Sequence, residues 1–391
     1  MPDYQAAVIG HIKEYSAQLD GYLIDTVYFG GGTPSIFGAG RLISIFNALK
    51  KNWHVLLDAE VTAEVNPGDV TKEDLLKLRR AGFNRLSMGV QSSDDKALEN
   101  LGRSHTFADA EETVKNARQA GFENIGVDIM YGLPSQDKES WAQTVARAAS
   151  LKTEHMSCYE LKIEEGTQLY AYKDSPFLPD EDTVSDMYLY AVETLSRFGY
   201  AQYEISNFAR RGYESKHNLK TWLGEDYIGF GPGAHSYIDR CRYSFIEDVE
   251  SYIERLATGQ AVVEHSEEMS DFENAGEYLT FRLRTTYGIS EEEYYDIYRL
   301  KMDNIIEVLK KFEANGWAIN WDGRWRFTPR GFLISNRLIG ELLEAQTKQR
   351  NEISRPWQAG SDEESQMTLF ESKPISAGVY GSNRSDRASA Q

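Results

Sequence analysis

Three consecutive glycines, Gly30, Gly31 and Gly32, followed by Thr33 and Pro34, stand directly after the apolar run Thr26-Val27-Tyr28-Phe29. A glycine run at the carboxyl end of a strand lets the backbone take positive φ and approach a ligand closely. In α/β sheets and barrels that is the end where ligands bind. The next apolar runs also close on polar groups. Glu64 lies in Glu64-Val65-Asn66-Pro67, Gln91 in Met88-Gly89-Val90-Gln91-Ser92, and Asp128 opens Asp128-Ile129-Met130-Tyr131-Gly132-Leu133-Pro134. One such carboxylate is usually a helix cap or an ion-pair partner. Polar groups at successive strand ends beside a triglycine predict instead a site for a polar ligand carrying an amine, hydroxyls and a carboxylate. Arg103, in Leu101-Gly102-Arg103-Ser104-His105, is either a solvated surface arginine or a guanidinium able to grip that carboxylate with two hydrogen bonds.

The elements that must hold these residues show in the periodicity. Strand-length apolar runs fall at 24–30, 59–65, 84–90, 124–131 and 155–161, with helical patterns between them at 42–50, 74–81, 108–120, 138–149 and 184–198. Thr71 reads as a helix N-cap, with Asp74 in the capping-box position and Gly82 as the stop. Repeated βα units predict parallel strands joined by right-handed crossovers. The pattern breaks over 206–242, which is rich in glycine and aromatic residues. Further on, two helices ending at Asn315-Gly316, a hairpin turning at Asp322-Gly323 and another helix read as winged-helix-like. The expected organisation is a partial barrel at 1–205, a connecting segment at 206–265, a winged-helix-like unit at 266–345 and a mostly disordered tail at 346–391.

The chain has 391 residues, and its 42 basic and 61 acidic residues give a net charge of −19. So acidic a surface argues against a nucleic-acid partner, which requires clustered lysine and arginine. No run of 18 apolar residues occurs, so no membrane span is expected. The first residues, Met1-Pro2-Asp3-Tyr4, form no signal peptide, and the expected location is the cytoplasm. The two cysteines, Cys158 and Cys241, are too few for a disulfide framework or an all-cysteine metal site. Cys158 falls inside a strand run and reads as a buried apolar residue.

From residue 27 to 342 the chain resembles the radical S-adenosylmethionine family that contains oxygen-independent coproporphyrinogen III oxidase and the HemW heme chaperones. The carrying segments are YFGGGTPS at 28–35, EVNP at 64–67, AGFNRLSMGVQS at 81–92, LGRSH at 101–105 and VDIMYGLP at 127–134. YEISNFAR at 203–210, HNLKTW at 217–222 and GFGPGAHSY at 229–237 continue it and look more like the HemW branch. The resemblance implies an α/β fold: a partial barrel of six parallel βα units with a C-terminal helical, winged-helix-like region. It implies that Gly31, Gly32 and Thr33 hold the methionine part of S-adenosylmethionine. Glu64, Gln91, Arg103 and Asp128 would bind the rest of the nucleoside and the carboxylate. His217 would lie at a heme site, in a match to His-Asn-x-x-Tyr-Trp where Thr221 replaces the tyrosine.

The family also carries Cys-x-x-x-Cys-x-x-Cys after its first strand, holding a [4Fe–4S] cluster. Here no cysteine precedes Cys158, and the first visible strand already bears the triglycine. A truncated start is the expected explanation, because loss of the first strand alone would expose a barrel edge. The cluster is therefore expected only in a full-length form, and radical chemistry is not expected of the chain as it stands. The implied function is a heme chaperone that binds heme and passes it to an unidentified acceptor protein. The alternative is an oxidase-like enzyme acting on coproporphyrinogen III. In the chaperone reading, His217 and Trp222 lie close in sequence in a glycine- and aromatic-rich segment, as iron ligand and porphyrin-packing ring. His235 is the only rival histidine.

Overall fold

The computed structural model describes residues 2–19, 21–32 and 34–353. Its main sheet has seven strands: β1 (Leu23–Phe29), β2 (His54–Val65), β3 (Arg85–Gln91), β4 (Asn124–Tyr131), β5 (His155–Glu160), β6 (Ala201–Gln202) and β7 (Asn207–Ala209). Their order is β1-β2-β3-β4-β5-β7-β6, and the sheet curls into a half-barrel. The first five strands pair parallel in chain order, while β7 runs antiparallel to β5 and β6 antiparallel to β7. The alternation of period two and period 3.6 thus builds what it predicts over the first five strands, and the last two strands are short antiparallel additions.

Among the described residues eight α-helices precede or connect these strands: α1 (Pro2–Gln18), α2 (Pro34–Phe37), α3 (Ala39–Asn52), α4 (Lys72–Ala81), α5 (Asp95–Asn100), α6 (Phe107–Ala120), α7 (Lys138–Ser150) and α8 (Glu181–Arg197). Their ends follow local chemistry. Thr71 and Asp74 form the capping box of α4, and Gly82 ends it at φ 113°. Thr106 and Asp109 repeat the device on α6, which Gly121 ends at φ 93°.

The two faces of the sheet differ sharply. Toward the helices point Val27, Val61, Ala63, Val65, Leu86, Met88, Val90, Ile125, Val127, Ile129, Met156 and Cys158, all buried. At roughly 1.5–3 kcal/mol for each fully buried large side chain, this layer supplies the main stabilisation of the barrel. The strand period of two places Thr26, Tyr28, Glu60, Thr62, Glu64, Arg85, Ser87, Asp128, His155 and Ser157 on the opposite, concave face, as the pairings Thr26↔Glu60, Thr62↔Arg85 and Asp128↔Ser157 require. Parallel strands are usually apolar on both faces. A polar concave face therefore marks the inside of this half-barrel as a place built for something other than core.

After the sheet come α9 (Lys216–Leu223) and a three-stranded antiparallel sheet of β8 (His235–Ile238), β9 (Cys241–Phe245) and β10 (Val263–Glu268), with α10 (Val249–Ala257) between its last two strands. Then follow α11 (Asp271–Arg282), β11 (Ile289–Ser290), α12 (Glu291–Tyr298), α13 (Asp303–Ala314), the hairpin β12 (Ala318–Trp321) and β13 (Arg324–Phe327), α14 (Pro329–Leu333) and α15 (Ser335–Ile353). β11 adds to the hairpin, so the wing is a small three-stranded sheet. The last helix runs past the position near 343 where apolar periodicity fades. Gln346 there donates to the Tyr294 hydroxyl at 2.9 Å, and Gln349 accepts from the Asn304 N–H at 3.0 Å. Buried glutamines holding a helix by hydrogen bonds leave no apolar period to read. The expected tail lies outside the described residues from 354 onward. Among the described residues no helix is long and apolar enough to cross a membrane.

Candidate functional site

The triglycine turn sits at the carboxyl end of β1. Gly31 and Gly32 take φ of 80° and 65°, a conformation that a side chain strongly disfavours. A Cβ placed on either would meet nothing within 4 Å, so both glycines face open space. Gly30 is different. A Cβ there would lie 2.5 Å from Tyr28 Cε1 and 2.9 Å from Glu64 Oε1, so Gly30 is what lets those two side chains meet beneath the turn. The Tyr28 hydroxyl donates to Glu64 Oε1 at 2.7 Å, and the Gly31 N–H reaches Glu64 Oε2 at 3.2 Å. Glu64 thereby ties the β2 end to the turn. Thr33 lies outside the described residues.

Asp128 shares the concave face with Glu64, bridged by Ser87, which pairs with Glu64 across the strands and donates to Asp128 Oδ2 at 3.5 Å. Asp128 Oδ1 is buried without a partner. Burial raises the Asp128 pKa to about 6, Ser157 and Arg85 pull it back, and Glu64 adds to the rise. Gln91 follows a register shift in β3 and takes φ of 66°. Its amide folds back to where a Cβ on Gly89 would lie 2.8 Å away, so Gly89 makes room for it. The same spot is 3.3 Å from Asn66 Oδ1, which in turn accepts from Arg103 Nη1 at 3.5 Å. Gln91, Asn66 and Arg103 thus form a second polar group on the rim, and Arg103 has no carboxylate partner among the described residues.

His217 stands inside the half-barrel, on α9, against β1. Ser215 caps that helix by accepting from the Asn218 N–H at 3.4 Å. Glu60 on β2 accepts from the backbone N–H groups of Lys216 at 3.3 Å and His217 at 3.1 Å. A carboxylate on the free donors of a helix start is favourable for both hydrogen bonding and the helix dipole. Lys220 pairs with Asp25 at 2.9 Å and pins the helix further. The imidazole stacks on Tyr28 with ring centres 4.9 Å apart and planes 19° apart, and its Nδ1 lies 3.0 Å from Thr26 Oγ1. When Nδ1–H donates to Thr26, Nε2 keeps a free lone pair. Burial, then Arg85 and Lys220, lowers the His217 pKa to about 4, while Asp25 opposes them. The ring is neutral at pH 7, the form that ligates metals.

Among the described residues, most of the buried polar atoms without a partner gather on the same face, His11 Nε2 on α1 and Arg282 Nε on α11 being the exceptions. Thr62 Oγ1, Arg85 Nε and Nη1, Asn124 Oδ1, Asp128 Oδ1, His155 Nδ1 and Asn207 Oδ1 are buried without partners. Buried polar groups are nearly always satisfied, so a concentration of exceptions points to a surface completed by water or ligand. Arg85, 1% exposed, is the centre of this group.

Of the residues singled out in the sequence, Glu64, Asp128 and His217 lie in the half-barrel and Gly31, Gly32, Gln91 and Arg103 lie toward its rim, while Tyr28, Glu60, Arg85 and Asn66 beside them were not singled out. Their signal was available: Thr26-x-Tyr28, Glu60-x-Thr62-x-Glu64 and Arg85-x-Ser87 alternate polar with apolar in strands that should be apolar throughout. Trp222 is not the ring beside His217. It packs edge-on against Phe281 of α11, with centres 6.3 Å apart. His235 and His265 are exposed.

Replacing Asp128 by asparagine should stabilise the fold above pH 6. The folded carboxyl holds its proton up to about 6, against an ordinary 3.8. Between those values the folded chain binds more protons than the unfolded one, so stability falls as pH rises. The loss is complete above about pH 6 and is on the order of 3 kcal/mol. Thermal unfolding at pH 5 and 7.5 should show the parent losing stability between the two and Asp128→Asn keeping it. Parallel pH profiles for the two proteins would contradict the assignment.

The fit to a cofactor differs between groups. Open glycines at positive φ, the unpartnered Asp128 Oδ1, the Arg103 guanidinium with no carboxylate beside it among the described residues, and the Glu64 carboxylate suit an amino-acid nucleoside such as S-adenosylmethionine. A four-iron cluster does not fit: among the described residues no three His, Cys, Asp or Glu side chains gather, Cys158 is buried, and Cys241 lies on β9.

The Radical SAM superfamily model matches residues 3–148. The heme chaperone HemW of Bacillus subtilis is 35% identical over 324 residues, covering 82% of this chain and 86% of that protein. The heme chaperone HemW of Escherichia coli is 30% identical over 341 residues, covering 87% and 90%. Among solved structures, the coproporphyrinogen III oxidase HemN of Escherichia coli, described as a radical SAM enzyme, superposes with a TM-score of 0.76 at 21% identity, over 88% of this chain and 82% of that one. The last likeness concerns the fold.

Proposed function

We propose that this chain, which belongs to the HemW family of heme chaperones within the radical SAM superfamily, binds heme through His217 and hands it to an acceptor protein. The observation that carries the reading is the setting of the His217 imidazole: stacked on Tyr28, with Nδ1 3.0 Å from Thr26 Oγ1, and kept neutral by burial. In the tautomer that donates from Nδ1 to Thr26, Nε2 is the nitrogen offered to a metal. A metal-ligating histidine commonly has its second nitrogen held in this way. Spectral titration with heme, argued below, tests it.

In this reading Gly31, Gly32, Thr33, Glu64, Gln91, Arg103 and Asp128 hold S-adenosylmethionine. Heme would supply an iron able to take an imidazole nitrogen as a ligand. What the chain's own residues do is present a neutral imidazole, fix its tautomer through Thr26, and keep the helix carrying it anchored through Glu60 and Lys220. The half-barrel to residue 205 would serve the cofactor, the segment 206–265 would carry the heme histidine, and 266–345 would be an accessory unit. The cytoplasm is the proposed location. The oxidase reading has weaker support, since it rests on a fold shared at 21% identity.

Reconstitution of this chain with iron and sulfide should yield no stable four-iron cluster, because three thiolates are required and only Cys158 and Cys241 exist. Iron analysis and visible absorption after desalting provide the check. A stoichiometric cluster would overturn the ligand argument. Reductive cleavage of S-adenosylmethionine should likewise be undetectable.

A further inference from the structure

We infer that Tyr28 couples the cofactor turn to the heme histidine, so that occupancy at Gly31 and Glu64 sets how firmly His217 holds its ligand; this rests on the reading of His217 given above. Tyr28 touches both sites at once. Its ring lies parallel to the His217 imidazole at 4.9 Å, and its hydroxyl donates to Glu64 Oε1 at 2.7 Å. The other oxygen of that carboxylate accepts from the Gly31 N–H at 3.2 Å. From Gly31 to Nδ1 of His217 there is an unbroken series of a backbone donor, a carboxylate, a phenol and an imidazole, ending on Thr26 at 3.0 Å.

The arrangement leaves Tyr28 little freedom. A Cβ on Gly30 would stand only 2.5 Å from Tyr28 Cε1 and 2.9 Å from Glu64 Oε1, so the phenol and the carboxylate meet in space that only glycine leaves open. Burial and the neighbouring Glu64 hold the phenol protonated, so it stays a donor. Glu64, in contrast, has three claims on it. It must share its oxygens between Tyr28, the Gly31 N–H and the donor groups of a ligand in the turn. A ligand donor that reaches Oε1 competes with the Tyr28 hydroxyl for that oxygen and weakens their hydrogen bond, loosening the contact that keeps the ring flat on His217. The imidazole is then freer to turn about Thr26, and its grip on iron weakens. Coupling is a difference in free energy between two states of one element, and it acts in both directions. Here that element is the Tyr28 side chain. The consequence is a chaperone that holds heme tightly while its cofactor turn is empty and releases it faster when the turn is filled.

The test measures heme release from the loaded chain to excess apomyoglobin, with and without saturating S-adenosylmethionine whose binding is verified by equilibrium dialysis. In the parent the release rate should rise about fivefold, the lower end of usual coupling. In Tyr28→Phe, which keeps the ring and loses the hydroxyl, the ratio should fall to about one. A second readout needs no heme. The ¹H–¹³C resonance of the His217 ring Cε1 should shift when S-adenosylmethionine is added to the parent and stay still in Tyr28→Phe. The inference is overturned if the parent ratio is one, if Tyr28→Phe keeps the parent ratio, or if the dialysis shows no binding to the parent. If the chain takes up no heme, the function proposed above fails. The ring resonance then decides the coupling by itself, standing if it shifts in the parent alone and falling if it does not.

Discussion

His217→Ala is expected to lose the Soret shift that heme titration produces in the parent, while His265→Ala keeps it. Hydrogen-bonding partners of a metal-ligating histidine are typically worth 10–100-fold in affinity, so removal of the ligand itself should cost at least about 100-fold. Thr26→Val supplies the intermediate case. It leaves the imidazole in place, removes the group at Nδ1, and should cost about tenfold with a mixed ligation spectrum. The site makes this gradation meaningful. α9 is held by Glu60 on two backbone N–H groups and by Lys220 on Asp25, so His217→Ala removes a side chain from a helix that stays where it is. Exposed His265 on β10 controls for histidine number without touching the half-barrel. Equal heme binding by parent and His217→Ala would remove the main support for the chaperone reading and bring the oxidase-like reading forward.

Gly31→Val should abolish binding of S-adenosylmethionine while the chain still folds. At φ 80°, a β-branched residue is strained by roughly 1–2 kcal/mol. That cost falls on an exposed turn rather than on the core. The added carbon would enter the open space where nothing of the protein lies within 4 Å, which is the space a ligand in the turn must fill. The strain is carried by the free and bound chain alike and lowers stability only; it is the steric exclusion that acts on binding, and a loss of about 100-fold corresponds to roughly 2.7 kcal/mol of it. Equilibrium dialysis measures it, and circular dichroism checks the fold. Undiminished binding would move the cofactor away from the glycine turn.

Much of this arrangement is legible in the residues themselves. The capping box at Thr71 and Asp74, with Gly82 as the stop, marks its helix because the signal is local. The triglycine, Glu64, Gln91 and Asp128 stand out because strand ends in parallel sheets are where ligands go. The concave face is harder. Tyr28, Glu60 and Arg85 matter because of what faces them across strands, and register is a tertiary fact. Tyr28 reads as an ordinary strand residue until α9, nearly two hundred positions later, lays His217 on it. The segment after residue 206 gave no periodicity to follow, yet its helix is decided by a serine cap and by a carboxylate from another strand. Trp222 shows the converse, since proximity in sequence to His217 suggests a shared site while the helix turns the indole toward Phe281.

The central claim is that this chain carries heme and gives it up intact. Heme transfer from the purified, heme-loaded chain to an apo-hemoprotein, followed by the Soret band of each partner, tests it most directly. The account predicts saturable loading through His217, followed by first-order transfer in which all the heme is recovered, chemically unchanged, in the acceptor. A chain that takes up no saturable heme, or that keeps or degrades it in the presence of the acceptor, would contradict the account.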